Sequence, residues 1–478
     1  MKKSRLLIIL MILISIILCV PSIIYLINNK TVDGFNSYYT YTLENWTDYK
    51  TGLISGIIVI GLLLVYSIIY LILIKKQKEI FKNIKQILIL IIIISFVFML
   101  VLPYLSSDIF YYIGDSWLAA KYGQNPYYMS VEELQNQGIN DEILNNTGYW
   151  KNTTSVYGPL WNSIAKVLVS FSFGRVTIAL FIFKTASYLI HILNSYLIYK
   201  ITKSKKYMLV YGLNPLILIE FLSNVHNDIY LVVFILLALY FLIRKRNIYF
   251  TIIFLALSVS IKYSTVLLVP FILIYMFRKY SISKRILFCM TFGLSIIALV
   301  IILYLPYYRD ISIFTNMLVQ GEKYSQSVPL LLMRNLDSNI FSTISSLLIP
   351  IFIILYITTI VTLLLIKRIN LNIIMKKFNF NMIIFIFVVL TTFQKWYILW
   401  LIPTIIWQNK YMRKFILYLT IVALIPSLQY FITGGDGYMY GIAYSIKMIL
   451  YSVILVLIDI FTDYIKKIKN QKEKICHV

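Results

Sequence analysis

Three groups of polar side chains interrupt an otherwise apolar sequence, and each is of a kind that does chemistry. The first is Asp108 and Asp115 within SSDIFYYIGDSWLAAKYGQNPYY, residues 106–128. If the chain is helical from about Ile109 to Tyr122, seven residues, about two turns, bring both acids to one face with Tyr111 and Tyr112 between them. Ile109, Ile113 and Ala120 make the greasier side, and an Asn-Pro pair ends the run. Such a helix lies at a membrane surface with acids and aromatics turned to one side, or serves as a connector whose acids face water.

The second group is Glu220 with the turn Asn224, His226, Asn227 and Asp228. Ionisable groups at membrane depth are costly and are usually functional or paired. His226 with Asp228 reads as a substrate-binding pair, a site compatible with a divalent cation, or a helix cap built on Asn227 or Asp228. The third group is cationic: Lys184, Lys262, Arg334 and Lys395. Lys184 and Arg334 read either as cations snorkelling toward head groups or as functional cations on the outward side. Lys262 and Lys395 sit where short apolar segments reverse, a place suited to a buried phosphate. Trp396, Tyr397 and Trp400 serve as an interfacial belt, or, for the first two, as rings that stack on a sugar.

The elements that must position these groups are membrane spans. The chain has 478 residues, 60% hydrophobic, with a mean hydropathy of +0.82, which a soluble domain of this size does not reach. The formal charge of +25 does not point to nucleic acid, because most Lys and Arg fall in short gaps between apolar runs and so mark the cytoplasmic side. Most acids fall at the other ends. Cys19, Cys289 and Cys476 are scattered and support neither a disulfide framework nor a metal site. The start, MKKSRLLIILMILISIILCVPS, reads as an uncleaved first span.

Apolar length and charge together predict an all-α polytopic membrane protein of about fourteen spans, some of them half-spans, with both termini cytoplasmic. The pairs 249–277 and 379–408 are too short for two crossings each, so they meet near Lys262–Tyr263 and Lys395–Trp396 within protein. Outward loops are expected at 28–51, 106–174 and 307–338, the second carrying interfacial helices. No repeat or linker divides residues 1–478, so one domain is expected.

An outer cavity with acids, lysines and aromatics has what sugar transfer from a lipid phosphate requires. A carboxylate takes the acceptor proton, and cations stabilise the departing phosphate. Transport or lipid flipping is the competing reading, although such proteins usually show repeats and a midplane site. A non-catalytic assembly or sensor protein would not need the acids at 108 and 115.

The motif Asp108-Ile-Phe-Tyr-Tyr-Ile-Gly-Asp115, then Gly123-Gln-Asn-Pro-Tyr127, resembles the first large outer loop of GT-C superfamily glycosyltransferases. The likeness is greatest to the bacterial and archaeal polyprenyl-phosphate-mannose-dependent α-mannosyltransferases. It continues in order through Tyr157-Gly-Pro-Leu160, Asn214-Pro215, Glu220, Asn224-Val-His226-Asn-Asp228, Ile261-Lys-Tyr263 and Gln394-Lys-Trp-Tyr397. The chain differs in having Ser116-Trp117 where many relatives have Gly-Arg, and Lys395 where proline is common.

The resemblance implies a GT-C bundle in the cell membrane and an inverting transferase acting on the outer face. It implies a polyprenyl-phosphate-linked sugar donor, mannose favoured, and a glycan or glycolipid acceptor in cell-envelope assembly. Asp108 matches the family's catalytic base. The expected substrate-binding residues are Asp115, Tyr111, Tyr112, Asn125, Tyr127, Tyr157, His226, Asn227, Asp228, Lys262, Tyr263, Lys395, Trp396 and Tyr397. No cofactor is firmly implied.

Overall fold

In a lipid environment every backbone N–H and C=O must find its partner within the protein, and a helix does this locally. The computed structural model, which describes residues 2–29, 49–277, 282–314, 324–427 and 444–475, is accordingly helical. Seven helices are long and apolar enough to cross a membrane, with bounds Arg5–Asn28, Gly56–Ile80, Val176–Thr202, Arg285–Tyr304, Ser338–Leu365, Leu371–Val389 and Ser445–Ile465. A pair bent by 117°, Pro215–Ser223 with Asp228–Lys245, makes an eighth if counted as one span. Ile84–Leu100, Ile248–Ile261 and Tyr263–Phe277 are apolar but shorter. The chain is an all-α polytopic membrane protein. The sequence estimate of about fourteen counted such shorter pieces separately. The loop expected at 28–51 lies mostly outside the described residues, as does part of 307–338 and Cys476.

The helices that frame the interior are α1 (Lys2–Asn29), α2 (Tyr49–Ile80) and α3 (Ile84–Leu100). After the connecting region come α8 (Val176–Thr202), α9 (Lys205–Gly212) and α10 (Pro215–Ile217, continuing as a π-helical turn Leu218–Ser223). Then follow α11 (Asp228–Tyr240) and α12 (Ile248–Ile261). Helix α11 is the centre of the bundle, packed on α8 and α12. Beyond Lys262 a 3-10 turn (Tyr263–Leu268) leads into α13 (Val269–Phe277). The reversal expected at Lys262 is therefore a break between helix types, with Lys262 itself extended. The second expected reversal is also a break: helix gives way after Val389, and a 3-10 helix runs from Lys395 to Trp407.

Residues 106–174 hold four helices: α4 (Asp108–Lys121), α5 (Val131–Gln135), α6 (Glu142–Asn145) and α7 (Pro159–Ser170). The expected helix is present, but it does not show a polar face to its surroundings. Residues Ile109 to Ala119 are buried all round, because α5, α6, α7 and α8 enclose α4. The acids 132–142 do the enclosing. Ser130 and Glu133 form a capping box on α5. Glu132 pairs with Lys151 at 3.2 Å and Glu142 with Arg175 at 3.3 Å. Asp141 caps α6 through the Ile143 and Leu144 amides and accepts from Trp117 Nε1, Lys121 Nζ and Tyr122 Oη. Burial alone would raise the Asp141 carboxyl; the bonds from Lys121, Trp117 and the Leu144 amide outweigh it and hold the group below its usual range.

Gly158 sets how closely α7 approaches α12. Its amide donates to Ile261 O at 3.1 Å, and an added Cβ would lie 2.1 Å from Ser260 O. The obstacle is backbone and cannot rotate away. Gly158→Ala should destabilise the folded protein by about 1–3 kcal/mol, read as a lowered melting temperature in detergent. Gly61→Ala, where a Cβ meets nothing within 4 Å, should be neutral or stabilise by up to about 1 kcal/mol. Equal melting of the two variants would refute the close-approach account.

Candidate active site

The site begins with a helix that is made to fail. Asn214 accepts from the Leu216 and Ile217 amides and so caps α10, while its own amide donates to Tyr70 Oη and Thr420 Oγ1. Pro215 occupies the first helical position, where no amide is needed. The next residues widen into a π-helical turn, an arrangement that recurs at functional sites. The chain then reverses by 117° through Val225, whose φ of 59° is left-handed. That region disfavours a β-branched residue by about 1–3 kcal/mol, so the surroundings must impose it. The outcome is that Glu220, His226 and Asp228 all become fully buried.

These groups meet Asp108, the first residue of α4, in one ion network. His226 Nε2 lies 3.2 Å from Glu220 Oε2, and its Nδ1 lies 3.6 Å from Asp108 Oδ2. Lys395 Nζ stands 3.1 Å from Glu220 Oε1 and donates to Ser427 Oγ at 2.9 Å. Asn224 Nδ2 adds a bond to Glu220 Oε2 at 3.0 Å. Lys262 Nζ bonds Asp228 Oδ1 at 3.0 Å, and Trp400 Nε1 donates to the same oxygen at 2.6 Å. Glu220 and Asp228, the two fully buried acids of the network, thus each have a lysine. Asp108 has none; its side chain is 19% exposed, as is that of Lys262. Burial pushes the Asp108 carboxyl above the usual aspartate range, against the pull of His226 and Lys262, and Asp228 adds to the rise.

The aromatic residues are part of this network and not a belt. The Trp396 ring stacks on His226 with centroids 3.5 Å apart. Tyr397 stacks on Trp400 at 4.5 Å, and Lys262 Nζ lies 4.7 and 5.1 Å from those two centroids. Trp396 and Trp400 are both buried. Lys395, expected to face a phosphate, is instead buried against Glu220 and Ser427. Lys262 keeps an open side. Lys184, read as snorkelling, is fully buried, whereas Arg334 is exposed.

The structure separates the two acids of α4. Asp115 is buried near the hydroxyls of Ser155, Tyr111, Tyr127 and Tyr307, with Oδ1 free of any hydrogen bond and no ion pair among the described residues. Burial raises its carboxyl well above the usual range, against the Ser155 bond. Tyr111 bonds Thr153 O, and Tyr112 packs edge-on against Tyr157 and Trp161, so these tyrosines link the two environments. Asn125, Tyr127 and Tyr263 belong to a separate cluster. Asn125 Nδ2 donates to Tyr307 O, Tyr127 Oη to Tyr157 O, and Tyr263 Oη meets Tyr304 Oη.

Of the expected site residues, the network gathers Asp108, His226, Asp228, Lys262, Lys395, Trp396 and Tyr397. Asn227 adjoins it, fully buried, with neither end of its amide hydrogen-bonded within the protein; Asp228 Oδ2 is likewise unbonded. Glu220, singled out in the sequence among the polar groups, joins the network, whereas Trp400 and Ser427 were not expected as site residues. Glu220 had the signal of a carboxylate inside an apolar run; Ser427 had none. Among the described residues no group of three or more His, Cys, Asp or Glu side chains is placed to hold a metal ion.

Removing one partner of a buried pair leaves the other uncompensated. Lys395→Met should cost about 3–5 kcal/mol of stability, and Glu220→Gln with Lys395→Met should recover much of it. Denaturant unfolding in detergent checks this, and additive losses in the double variant would show that the pair is not a pair.

Residues 25–278 match the family model described as alpha-(1->6)-mannopyranosyltransferase, N-terminal domain. No curated protein and no solved structure matches the chain. The matched stretch contains Asp108, Glu220, His226, Asp228 and Lys262 of the network, and Asp115 beside it. More than half of the sequence is covered, and the chain belongs to the alpha-(1->6)-mannopyranosyltransferase family.

Proposed function

We propose that this mannosyltransferase moves mannose from a polyprenyl-phosphate donor to a hydroxyl of a glycan or glycolipid, with inversion, on the outer face of the cell membrane. The observation that carries the reading is the position of Asp108. It is the carboxylate of the network that is open to its surroundings and has no lysine of its own. Glu220 and Asp228 are buried and engaged. A single carboxylate at the opening suits a single displacement, which inverts the anomeric centre.

In that step the acceptor oxygen bonds to the anomeric carbon as the bond from that carbon to the phosphate oxygen breaks. The acceptor proton passes to Asp108, and the electron pair leaves on the polyprenyl phosphate. Lys262, with its open side and its place over Tyr397 and Trp400, is the cation suited to the departing phosphate. The unbonded amide of Asn227 and Oδ2 of Asp228 supply donors and an acceptor for sugar hydroxyls. Asp115, within its hydroxyl-rich surroundings, suits positioning of the acceptor. A lipid donor fits a site placed among helix ends, and the outer face fits the charge pattern: Asp228 opens α11, while Arg244 and Lys245 follow its far end.

Asp108→Asn should lower kcat by about 10²–10⁴-fold in membranes given labelled polyprenyl-phosphate mannose and acceptor; undiminished transfer would remove Asp108 as base. The base must be ionised, so activity should fall as pH drops through a carboxyl value above the ordinary aspartate range. Lys262→Met removes a charge that favours ionisation and releases Asp228, which opposes it, so the acid limb should move to higher pH. A limb unmoved in that variant would separate Lys262 from the base.

A further inference from the structure

Lys184 lies within α8, in a segment apolar enough to cross a membrane, yet its side chain is fully buried in the protein. Its ammonium donates to three carbonyl oxygens: Val101 at 2.7 Å, Leu222 at 2.9 Å and Ser223 at 2.7 Å. Those bonds use all three of its protons. Among the described residues no carboxylate pairs with it. An ammonium held this way is costly unless the geometry is good, and the ends of helices provide it, since their last carbonyls carry partial negative charge.

The identity of the three carbonyls gives the arrangement its meaning. Val101 is the cap at the end of α3, whose exit runs directly to Asp108. Leu222 and Ser223 close the π-helical turn, whose exit runs directly to His226 and Asp228. Other bonds stitch the same joint. Ser223 Oγ donates to Val101 O and Leu102 O, and the Leu105 amide reaches Asn224 Oδ1. The two chain segments that carry the open acid and its imidazole neighbour are therefore joined just behind the site, with Lys184 at the joint.

We propose that Lys184 is a positioning residue for mannosyl transfer: it fixes the exit of α3 to the end of the π-helical turn and thereby sets Asp108 against His226 and Asp228. The role rests on Asp108 being the base. A lysine that only held the bundle together would alter the amount of folded enzyme and leave the turnover of each folded molecule intact. A positioning lysine alters turnover itself, because a displacement of about 1 Å at a reacting group can cost 10²-fold.

The test compares Lys184→Met, Lys184→Gln and Ser223→Ala with wild type and Asp108→Asn, each as full-length protein in detergent or membranes, with activity normalised to folded protein by gel filtration. Lys184→Met should lower kcat about tenfold or more with the donor KM within about twofold. Lys184→Gln, which retains two N–H donors, should recover part of the loss, and Ser223→Ala should show a smaller fall in kcat of the same kind. Should Lys184→Met fail to fold, the other two variants decide. Wild-type kcat per folded molecule in these variants, or a rise in KM alone, overturns the proposal while an inactive Asp108→Asn leaves the base in place. Full activity in Asp108→Asn overturns the base instead.

Discussion

The site depends on holding two carboxylates, Glu220 and Asp228, where solvent does not reach. Each unpaired would be untenable in an apolar interior, and each is met by an ammonium at about hydrogen-bond distance. This requirement shapes the backbone. Lys262 is extended between α12 and a 3-10 turn, and Lys395 is the first residue of a 3-10 helix. At a break the chain can turn an ammonium across the bundle. Irregular backbone is tolerated at such depth only inside protein, and the amides released by the breaks are used: Asn224 N bonds Ile219 O, His226 N bonds Glu220 O and Lys262 N bonds Ser258 O. The left-handed Val225 is the residue through which the reversal is made.

Two lysines balance two of the three carboxylates in the network, and Asp108 is the third. Its neighbour is an imidazole at 3.6 Å, itself held by Glu220 on the other nitrogen and by Trp396 on its face. The two buried pairs thus flank Asp108, the one carboxylate of the three with an exposed side. The same logic distinguishes Asp115. It lies two turns along α4 but faces hydroxyls and no cation, so the helix presents one acid to charge and another to neutral polar groups.

Much of the fold was legible because lipid imposes strong rules on composition. Apolar length gave the membrane class but not the number of spans, and the limits of α4 and the break at Lys262 fell within a residue or two of expectation. The acids at 108, 220 and 228 were visible as charges inside apolar surroundings. What the sequence could not express was pairing over distance. Glu220 and Lys395 stand 175 positions apart in the chain yet 3.1 Å apart in space, and no local pattern links them. Lys184 read as a snorkelling cation because its three partners are backbone carbonyls, which have no residue signature. Trp400 read as a belt residue for the same reason: its bond to Asp228 depends on tertiary packing. The enclosed surface of α4 was missed because a helix with acids on one face gives no sign that four others cover it.

The family match ends at residue 278, but the electrostatics do not. The matched stretch contains the three carboxylates, the imidazole and one lysine. The second lysine, the ring on His226, and the indole that bonds Asp228 come from residues 395–400, and Ser427 steadies Lys395. Without them Glu220 would be a buried carboxylate lacking its ammonium, and His226 would lose the ring that fixes its plane. The later helices therefore contribute more than additional spans. Of the two buried acids in the matched stretch, Asp228 has its lysine within that stretch and Glu220 takes its own from beyond it.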